Sequence, residues 1–356
     1  MSKVKAIAFY LPQYHPIPEN DEWWGKGFTE WTNVRKARPL FSGHHQPSIP
    51  AELGYYDLRD SHVRDSQAEL AMKYGLYGFC YYHYWFNGKL LLEAPFNEVL
   101  NSGKPDFPFC LCWANENWTR IWDGQNKNIL MEQKYSEEDD KRHIAWLIKA
   151  FRDKRYIRID GKPLFLVYKI SAMADSLKTT TIWREEARKA GIGELYLCKV
   201  ESFLREKTDP KGTGFDAAVQ FPPNSVYISA FSKLKLMISK KIIKRSFGDV
   251  YDYNSFAMEA MKAPCPSYKE FLCVMPKWDN SPRRSKGGRI YINNDPRVYG
   301  EWLKKSIDET MVRFREEERL VFINAWNEWG EGNYLEPCAR YGRTYLEETA
   351  RALGLM

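Results

Sequence analysis

Two glutamates, Glu328 and Glu331, stand three residues apart just after the apolar run Leu320–Ile323. The run has the length and composition of a fully buried strand, so both carboxylates are expected at a strand's end. A carboxylate in such a place costs desolvation free energy, so its presence indicates a function. Trp326 and Trp329 flank the pair, and aromatic rings pack well on the C–H faces of sugars. The segment therefore indicates acid and base chemistry on a glycosidic bond.

The spacing of the two glutamates also bears on the type of reaction. Side chains three residues apart on a turn have close Cβ atoms, which suits the short carboxylate separation of retaining glycosidases. Two like charges at this separation should raise one pKa, as a general acid at neutral pH requires. The alternative is that Glu331 caps the next helix or pairs with Arg340 or Arg343.

The elements that must position this pair are predicted from eight short apolar runs, most of them separated by stretches of helical composition. The runs are Val4–Leu11, Gly78–Tyr84, Phe107–Ala114, Pro163–Ile170, Glu194–Val200, Phe215–Phe221, Glu270–Pro276 and Leu320–Ala325. The predicted helices are Asp57–Tyr74, Ser136–Lys154, Met173–Ala190, Pro296–Glu318 and Tyr341–Leu353. Eight parallel strands with intervening helices close into a TIM barrel. We therefore predict a single α/β domain over residues 1–356, a (β/α)8 barrel with long active-site loops at about 12–56 and 222–269.

A doubly wound Rossmann sheet is the alternative fold. It needs a glycine-rich turn after the first strand, but the sequence there is Leu11-Pro-Gln-Tyr-His-Pro16. The glycines of Gly191-Ile-Gly193 precede a strand, which is the wrong side for a dinucleotide site. The barrel is therefore favoured.

The residues that follow the predicted strands are mostly polar or aromatic, which random surface loops would not place at so many equivalent points. In a barrel these positions line the active-site face, and we predict that they bind the substrate. The candidates are Tyr10, Gln13, His15, His83, Tyr84, Trp85, Asn115, Glu116, Trp118, Tyr168, Gln220, Trp278, Asp279 and Asn327. The first long loop adds three candidates for a roof over the cleft, with ordinary loop packing as the alternative: Trp23, Trp24 and Trp31.

Three of these candidates have a second interpretation. A conventional double displacement would place a nucleophile or acid at Glu116, opposite the eighth strand. Asp279 would serve equally for a hydrogen bond that closes its own loop. His83 would serve as a core histidine bonded to a backbone carbonyl.

Composition and spacing argue against several other classes of protein. The net charge of +7 is spread over mixed-sign helices, so we expect no nucleic-acid partner. The one local excess, Lys233 to Arg245, suits a solvated helix on the barrel, with an anionic membrane surface as the alternative. The six histidines, of which His44 and His45 are adjacent, lack the spacing of metal ligands, so we expect no metal and no cofactor.

The cysteines and the first residues bear on the compartment. Seven cysteines form no C-x-x-C pair and mostly lie in apolar runs, as reduced core thiols do. The first ten residues pass directly into a strand pattern without the apolar region of a signal peptide. We therefore expect a cytoplasmic protein without a membrane span.

Several blocks of the sequence together resemble the WbsX family of bacterial polysaccharide-locus proteins, over nearly the whole chain. The blocks are Phe9-Tyr-Leu-Pro-Gln-Tyr-His15, Trp113-Ala-Asn-Glu-Asn-Trp118, Trp278-Asp279, Trp326-Asn-Glu-Trp-Gly-Glu-Gly332 and Tyr334-Leu-Glu-Pro337. That family is related to glycoside hydrolase family 99, the endo-α-mannosidases, which are TIM barrels. The WbsX label itself was first attached to glycosyltransferases.

The resemblance implies roles for the two glutamates. Family 99 enzymes carry Glu-Trp-His-Glu-Gly, which is similar to Glu328-Trp-Gly-Glu-Gly332 with Gly330 in place of the histidine. By this resemblance Glu328 deprotonates the sugar 2-hydroxyl, which attacks the anomeric carbon and gives an epoxide-like intermediate. Glu331 protonates the leaving oxygen and later activates water, with net retention. The histidine contact does not carry over.

Three functions follow as hypotheses. The first is a retaining glycoside hydrolase acting on α-mannoside-like or related linkages of a complex polysaccharide. The second is a glycosyltransferase or transglycosidase of surface-polysaccharide biosynthesis. The third is a glycan-binding barrel without catalysis. All three take an oligo- or polysaccharide as partner, and the sequence leaves the sugar, endo or exo action and the oligomeric state open.

Overall fold

The main sheet of the computed structural model is a parallel barrel. The structure describes residues 4–120, 125–226, 248–284 and 287–356. In that part of the chain the barrel strands are β1 Lys5–Tyr10, β2 Gly78–Phe86, β3 Phe109–Trp113, β4 Lys162–Val167, β5 Tyr196–Glu201, β6 Ala217–Gln220, β7 Glu270–Phe271 with Cys273–Val274, and β8 Leu320–Ile323.

The barrel closes at β7, which is interrupted at Leu272. Its first half pairs with β6 and its second half pairs with β8. β8 also pairs with β1, so the sheet returns to its beginning. The predicted TIM barrel is thereby confirmed.

Each predicted apolar run overlaps one of these strands. Every residue of β2, β3, β5, β6 and β8 is buried. Parallel strands with both faces covered have continuous apolar sequences, so their composition alone located them.

Helices cover the barrel and its long loops. Within the described ranges they are α1 Pro18–Trp24, α2 Glu30–Lys36, α3 Ser61–Lys73, α4 Ala94–Ser102, α5 Glu137–Phe151, α6 Ser176–Lys189, α7 Tyr253–Lys262, α8 Pro296–Arg313 and α9 Thr344–Ala352. Short 3-10 turns lie at Ile170–Ala172, Leu204–Glu206, Ser281–Arg283, Glu316–Glu318 and Trp329–Glu331. Short strands outside the barrel pair as Lys89–Leu91 with β2, Arg158–Ile159 with β4, Trp118–Arg120 with Gln125–Met131, Asp249–Asp252 with Arg289–Ile292, and Asn327–Glu328 with Asn333–Tyr334.

The five predicted helices are present, and each is shorter than predicted. Side chains that accept hydrogen bonds from the first helical turn set several starts, as Asp60 does for α3 and Ser136 for α5. Gly75 and Gly191 follow α3 and α6 with φ of +83° and +75°, as predicted. Four helices were not predicted, two of them (α1 and α2) inside the long loop 12–56.

Some predictions about surfaces and boundaries stay predictions. The basic segment Lys233 to Arg245 lies outside the described residues. Among the residues that are described, no helix is both long and apolar enough to cross a bilayer. All seven cysteines are free thiols, and six of them are buried. The assignment of the whole chain to one domain likewise stays a prediction.

Candidate active site

The two glutamates lie on a tight hairpin that follows β8. Asn327–Glu328 pairs antiparallel with Asn333–Tyr334, and the 3-10 turn Trp329–Glu331 connects the two short strands. Gly332, with φ of +60°, ends the turn in the left-handed region, which favours glycine. The short connection fixes both carboxylates on one rigid piece of backbone.

Hydrogen bonds with the segment after β1 hold this hairpin. The Tyr14 hydroxyl donates to the carbonyl of Asn327 and accepts from the backbone N–H of Trp329 at 3.1 Å. The Asn327 side chain accepts from the N–H of Leu11 at 2.7 Å and donates to the Leu11 carbonyl at 3.0 Å. Asn327, predicted to bind substrate, therefore tethers the hairpin to the end of β1.

The two tryptophans that flank the pair face the protein interior. Trp326 and Trp329 are 0% and 1% exposed. Trp329 stacks on Tyr334 with a ring separation of 3.6 Å, and its indole N–H donates to the Glu336 carboxylate at 2.5 Å. These rings support the hairpin, so the sugar-stacking role suggested by their sequence position is wrong.

Arg283 connects both glutamates to a third carboxylate. Its Nη2 lies 2.6 Å from Oε2 of Glu328, and its Nη1 lies 3.0 Å from Oε1 of Glu331. Its Nε donates to Oε1 of Glu30 at 2.7 Å. The sequence did not indicate either Arg283 or Glu30 as a site residue. Of the alternative partners considered for Glu331, Arg343 pairs with Glu52 instead.

Gly330 is required by the position of Glu30. A Cβ on residue 330 would lie 1.6 Å from Oε1 of Glu30 and 2.9 Å from Nε of Arg283. Because these atoms occupy the space, no side chain fits there while they stay in place. The absence of a histidine at this position thus has a steric explanation.

The electrostatics of the cluster follow from its burial and its charges. Burial raises the pKa of Glu328 to about 8, an effect that Arg283 opposes and that Glu331 and Glu30 reinforce. Burial also raises the pKa of Glu331, again opposed by Arg283. Burial lowers the pKa of Arg283, but the three carboxylates outweigh this and raise it well above its ordinary value. Three carboxylates around one guanidinium favour retention of a proton near neutral pH.

A cleft of about 1080 Å³ lies at the C-terminal ends of the barrel strands and includes both glutamates in its wall. Seven of the predicted substrate-binding residues line it: Gln13, Tyr84, Asn115, Glu116, Trp118, Tyr168 and Trp278. Further lining residues that the sequence analysis did not name include Asn20, Tyr82, Phe203, Phe221, Asn224 and Arg283. The cleft therefore combines aromatic faces with amide and charged groups, as carbohydrate sites do.

The polar residues after β3 are fixed by hydrogen bonds. The Asn115 side chain donates to the Lys169 carbonyl and accepts from the Lys169 N–H, both at 2.8 Å. The Lys169 ammonium lies 2.7 Å from the Glu116 carboxylate. Glu116 thus enters the cleft as one half of an ion pair, and its role toward substrate stays a prediction.

Strand alternation explains two candidates that lie away from the cleft. Tyr82 and Tyr84 of β2 line the cleft, so His83 and Trp85 point to the opposite face. There His83 lies 2.9 Å from His143, Nε2 to Nε2, and Trp85 donates to Asp139 at 3.0 Å. His83 is a core histidine, but its partner is another imidazole and not a backbone carbonyl.

Three further candidates also lie outside the cleft wall. The Tyr10 hydroxyl donates to Gln67 at 2.6 Å, behind the barrel strand. The His15 ring lies 3.0 Å from the Pro12 carbonyl. Gln220 accepts a long hydrogen bond of 3.4 Å from a backbone N–H of β7. These contacts are structural, so we do not retain the three residues as substrate contacts.

Asp279 closes its own loop, as the second interpretation of this residue predicted. Its carboxylate accepts from the backbone N–H of Ser281 at 3.0 Å, which closes the loop. It also accepts from His44 at 2.8 Å and from Gln46 at 2.6 Å, both in the first long loop. Its backbone N–H donates to the carbonyl of Glu331 at 2.6 Å. Asp279 therefore supports the hairpin from outside the cleft and borders a second cavity of about 840 Å³.

The predicted aromatic roof is partly present. Trp24 lines the cleft. Trp23 packs edge-on against Trp118 with a ring separation of 5.7 Å, whereas Trp31 is buried against Tyr14 and the hairpin.

As for metals, no group of three His, Cys, Asp or Glu side chains able to hold an ion occurs in the ranges that the structure describes.

Comparison with known sequences gives a family match over nearly the whole chain. The model of the family described as "Glycosyltransferase WbsX" matches residues 6–349. WxcX of Xanthomonas campestris pv. campestris strain B100 is 46% identical over 348 residues, 98% of this chain and 49% of that protein. WxcX of strain ATCC 33913 gives the same values. The chain spans about half the length of the curated relatives it matches.

Comparison with solved structures concerns the fold. A glycoside hydrolase-like protein superposes with a TM-score of 0.62 at 14% identity, covering 99% of this chain and 94% of that one. The GH99 endo-α-mannosidase from Bacteroides thetaiotaomicron gives a TM-score of 0.59 at 14% identity, covering 98% and 96%. At this identity the similarity establishes a shared barrel architecture and no more.

Proposed function

Because this chain belongs to the WbsX family, we propose that it is a carbohydrate-active enzyme that cleaves glycosidic bonds with retention at the anomeric carbon. One observation carries the proposal. Glu328 and Glu331 stand on one hairpin in the wall of a large cleft and share the guanidinium of Arg283. This arrangement brings two carboxylates close together, as a retaining mechanism requires.

The proposed roles follow the difference in exposure between the two carboxylates. The side chain of Glu331 is 22% exposed, whereas that of Glu328 is 6% exposed. Glu331 is therefore better placed to give a proton to the leaving oxygen and later to take one from water. Glu328, deeper in the wall, suits a contact with a hydroxyl of the bound sugar.

The reaction then proceeds in two displacements. Glu328 takes the proton of the 2-hydroxyl, O2 attacks the anomeric carbon, and the leaving oxygen takes the proton of Glu331. Water, deprotonated by Glu331, next opens the epoxide-like intermediate, and O2 recovers its proton from Glu328. Two inversions give net retention, and each glutamate returns to its starting state.

The reactive form needs a proton on Glu331 and none on Glu328. In the free cleft burial raises the pKa of both groups, that of Glu328 to about 8. The two groups titrate as a unit, so the singly protonated cluster is the active species and substrate selects the form with the proton on Glu331. Arg283, which contacts both, stabilises negative charge on either one.

We propose α-mannoside-like or related linkages in an oligo- or polysaccharide as the substrate. Support comes from the motif shared with family 99 and from a cleft whose size suits several sugar rings. A bacterial cytoplasmic location also belongs to the proposal, and the curated relatives reported above are bacterial.

Transfer to a second sugar is the second candidate function, because the family's description names a glycosyltransferase. The same two glutamates serve a transglycosidase if an acceptor hydroxyl replaces water in the second displacement. A nucleotide-sugar transferase would show tight binding of nucleotide sugars in calorimetry. A barrel without catalysis would bind glycans and release no product.

A panel of α-linked oligosaccharides tests the proposal, with products followed by proton NMR from the first turnovers. We expect a product whose anomeric configuration equals that of the substrate. Inverted product would contradict the two-displacement mechanism. Binding without product from any member of the panel would favour the non-catalytic alternative.

A further inference from the structure

We propose that Glu30 and Arg283 form a positioning pair that holds the carboxylates of Glu328 and Glu331 in place. Residue 330 is glycine because a side chain there would occupy the space of this pair. The inference rests on the proposed function, since it assigns the pair to the carboxylates that would carry out the reaction.

The geometry of Arg283 is the first support. A guanidinium is planar, and its donors point in fixed directions. Its Nε binds Glu30, one Nη binds Glu328 and the other binds Glu331, at 2.7, 2.6 and 3.0 Å. Because the group is rigid, fixing the Nε edge fixes the two edges that meet the catalytic carboxylates.

The burial of Glu30 is the second support. Glu30 is 0% exposed and begins α2, where its N–H donates to the Gln13 carbonyl at 3.0 Å. Its Oε2 is buried without a hydrogen-bond partner among the described residues. An ionisable group in this situation is costly, so its presence beside the site calls for a function. Holding Arg283 in place supplies one.

The third support comes from Gly330, independently of any charge. The three atoms nearest to a Cβ at this position are Oε1 and Cδ of Glu30, at 1.6 and 2.7 Å, and Nε of Arg283, at 2.9 Å. All three belong to the positioning pair. Residue 330 is therefore glycine because the pair lies against it.

The pair also affects the pKa values of Glu328 and Glu331. The Glu30 charge raises the pKa of Glu328 and of Glu331, whereas Arg283 lowers both. Removal of the Glu30 charge alone would remove one of the contributions that raise these two pKa values and should therefore lower both. Other ionisable groups that face this cluster are Tyr14, Tyr82, Tyr84, Tyr168 and Arg284.

The effect of the Glu30 charge is tested with Glu30→Gln, which keeps the shape of the side chain and an oxygen that accepts from Arg283. The matched control is Glu22→Gln, an exposed glutamate of the neighbouring helix α1. Carboxyl carbons labelled with ¹³C at glutamate allow the titration of Glu328 and Glu331 to be followed by NMR, with Gln variants for assignment. We expect Glu30→Gln to lower both pKa values by about one pH unit or more, and Glu22→Gln to leave them unchanged.

The activity profile gives the second readout. If wild type turns over a glycan, the alkaline limb of its kcat/KM profile should move to lower pH in Glu30→Gln, because the acid loses its proton earlier. A merely structural role would lower the rate at every pH and leave the limb in place. Unchanged titrations of both glutamates would overturn the inference. An inactive wild type with shifted titrations would overturn the proposed function and leave the pair standing.

The steric link between Gly330 and Glu30 is tested separately, by thermal denaturation. Gly330→Ala should lower Tm, because its Cβ displaces the Glu30 carboxylate, and addition of Glu30→Ala should recover part of that loss. A double variant whose Tm loss equals the sum of the single losses would contradict the steric link.

Discussion

The hydroxyl of Tyr14 binds the backbone on both sides of Glu328, accepting from the N–H of Trp329 at 3.1 Å and donating to the carbonyl of Asn327. Tyr14 follows β1, and the glutamate follows β8, two strands that pair in the barrel. This phenol group thus helps to fix the backbone of the residue proposed as the base.

Tyr14→Phe should therefore impair activity more than stability. Loss of the hydroxyl leaves a buried N–H without a partner, which costs about 1–3 kcal/mol of unfolding free energy. Displacement of Glu328 should lower kcat roughly 10- to 100-fold. Steady-state kinetics and thermal denaturation check both numbers, with exposed Tyr55→Phe as control. An unchanged kcat would show that the hydroxyl does not position the base.

Local spacing explains why the sequence predicted Glu328 and Glu331 together. Both lie on one segment directly after a strand, so short-range pattern was sufficient. Glu30 and Arg283 are 253 residues apart in the chain, and only the closed barrel brings them to the hairpin. Their residue types gave no indication of a site in the sequence, because a buried ion pair between two loops produces no local sequence pattern.

One error had a signal in the sequence that could have prevented it, and a second had none. Alternation along β2 places Tyr82 and Tyr84 on one face and His83 and Trp85 on the other, so both sets could not have lined the cleft. Trp326 and Trp329 lie beside the two glutamates in sequence, but the hairpin turns their rings inward. That orientation depends on tertiary contacts of Trp329 with Glu336 and with Tyr14, which is 315 residues away in the chain.

A second prediction concerns Glu336, which supports the hairpin through Trp329. Its carboxylate accepts from Tyr56 at 2.8 Å, from Gln67 at 2.7 Å and from Trp329 at 2.5 Å. Glu336→Gln replaces one acceptor oxygen by a donor facing other donors. We expect a loss of about 1–3 kcal/mol of unfolding free energy in denaturant titrations. Exposed Glu316→Gln should change nothing, and equal stability of the two variants would contradict the account.

The buried pair His83 and His143 predicts sensitivity to acid. Burial lowers the pKa of His83 to about 3 and lowers that of His143 well below its ordinary value. Both stay neutral in the fold but take up protons in the unfolded chain below about pH 6.5. Each therefore contributes stability above that pH that is lost as pH falls, at about 1.4 kcal/mol per pH unit.

Tm measured from pH 7 to pH 4 tests this acid sensitivity. Wild type and the exposed control His62→Gln should lose Tm in parallel. The double variant His83→Phe/His143→Phe should lose less over the same range, whatever its Tm at pH 7. A slope equal to that of wild type would show that other groups cause the acid loss.

The 2-hydroxyl of the sugar is the proposed nucleophile, so its removal should stop the first displacement. A 2-deoxy analogue of a cleaved substrate is expected to react roughly 100-fold more slowly or worse, although its glycosidic bond is intrinsically more labile. The ratio of kcat/KM for substrate and analogue gives the result. A 2-deoxy substrate that reacts as fast as its parent would rule out participation by the hydroxyl and favour a carboxylate nucleophile, for which Glu116 would be the candidate.

The measurement that tests the central claim most directly compares wild type, Glu328→Gln and Glu331→Gln on aryl glycosides whose leaving groups differ in pKa. The account predicts that Glu331→Gln loses roughly 10²- to 10⁴-fold in kcat/KM on poor leaving groups and little on the best ones, because only the poor ones need an acid. Glu328→Gln should lose activity on all of them. Equal losses of Glu331→Gln across the series, or full activity of Glu328→Gln, would contradict the assigned roles.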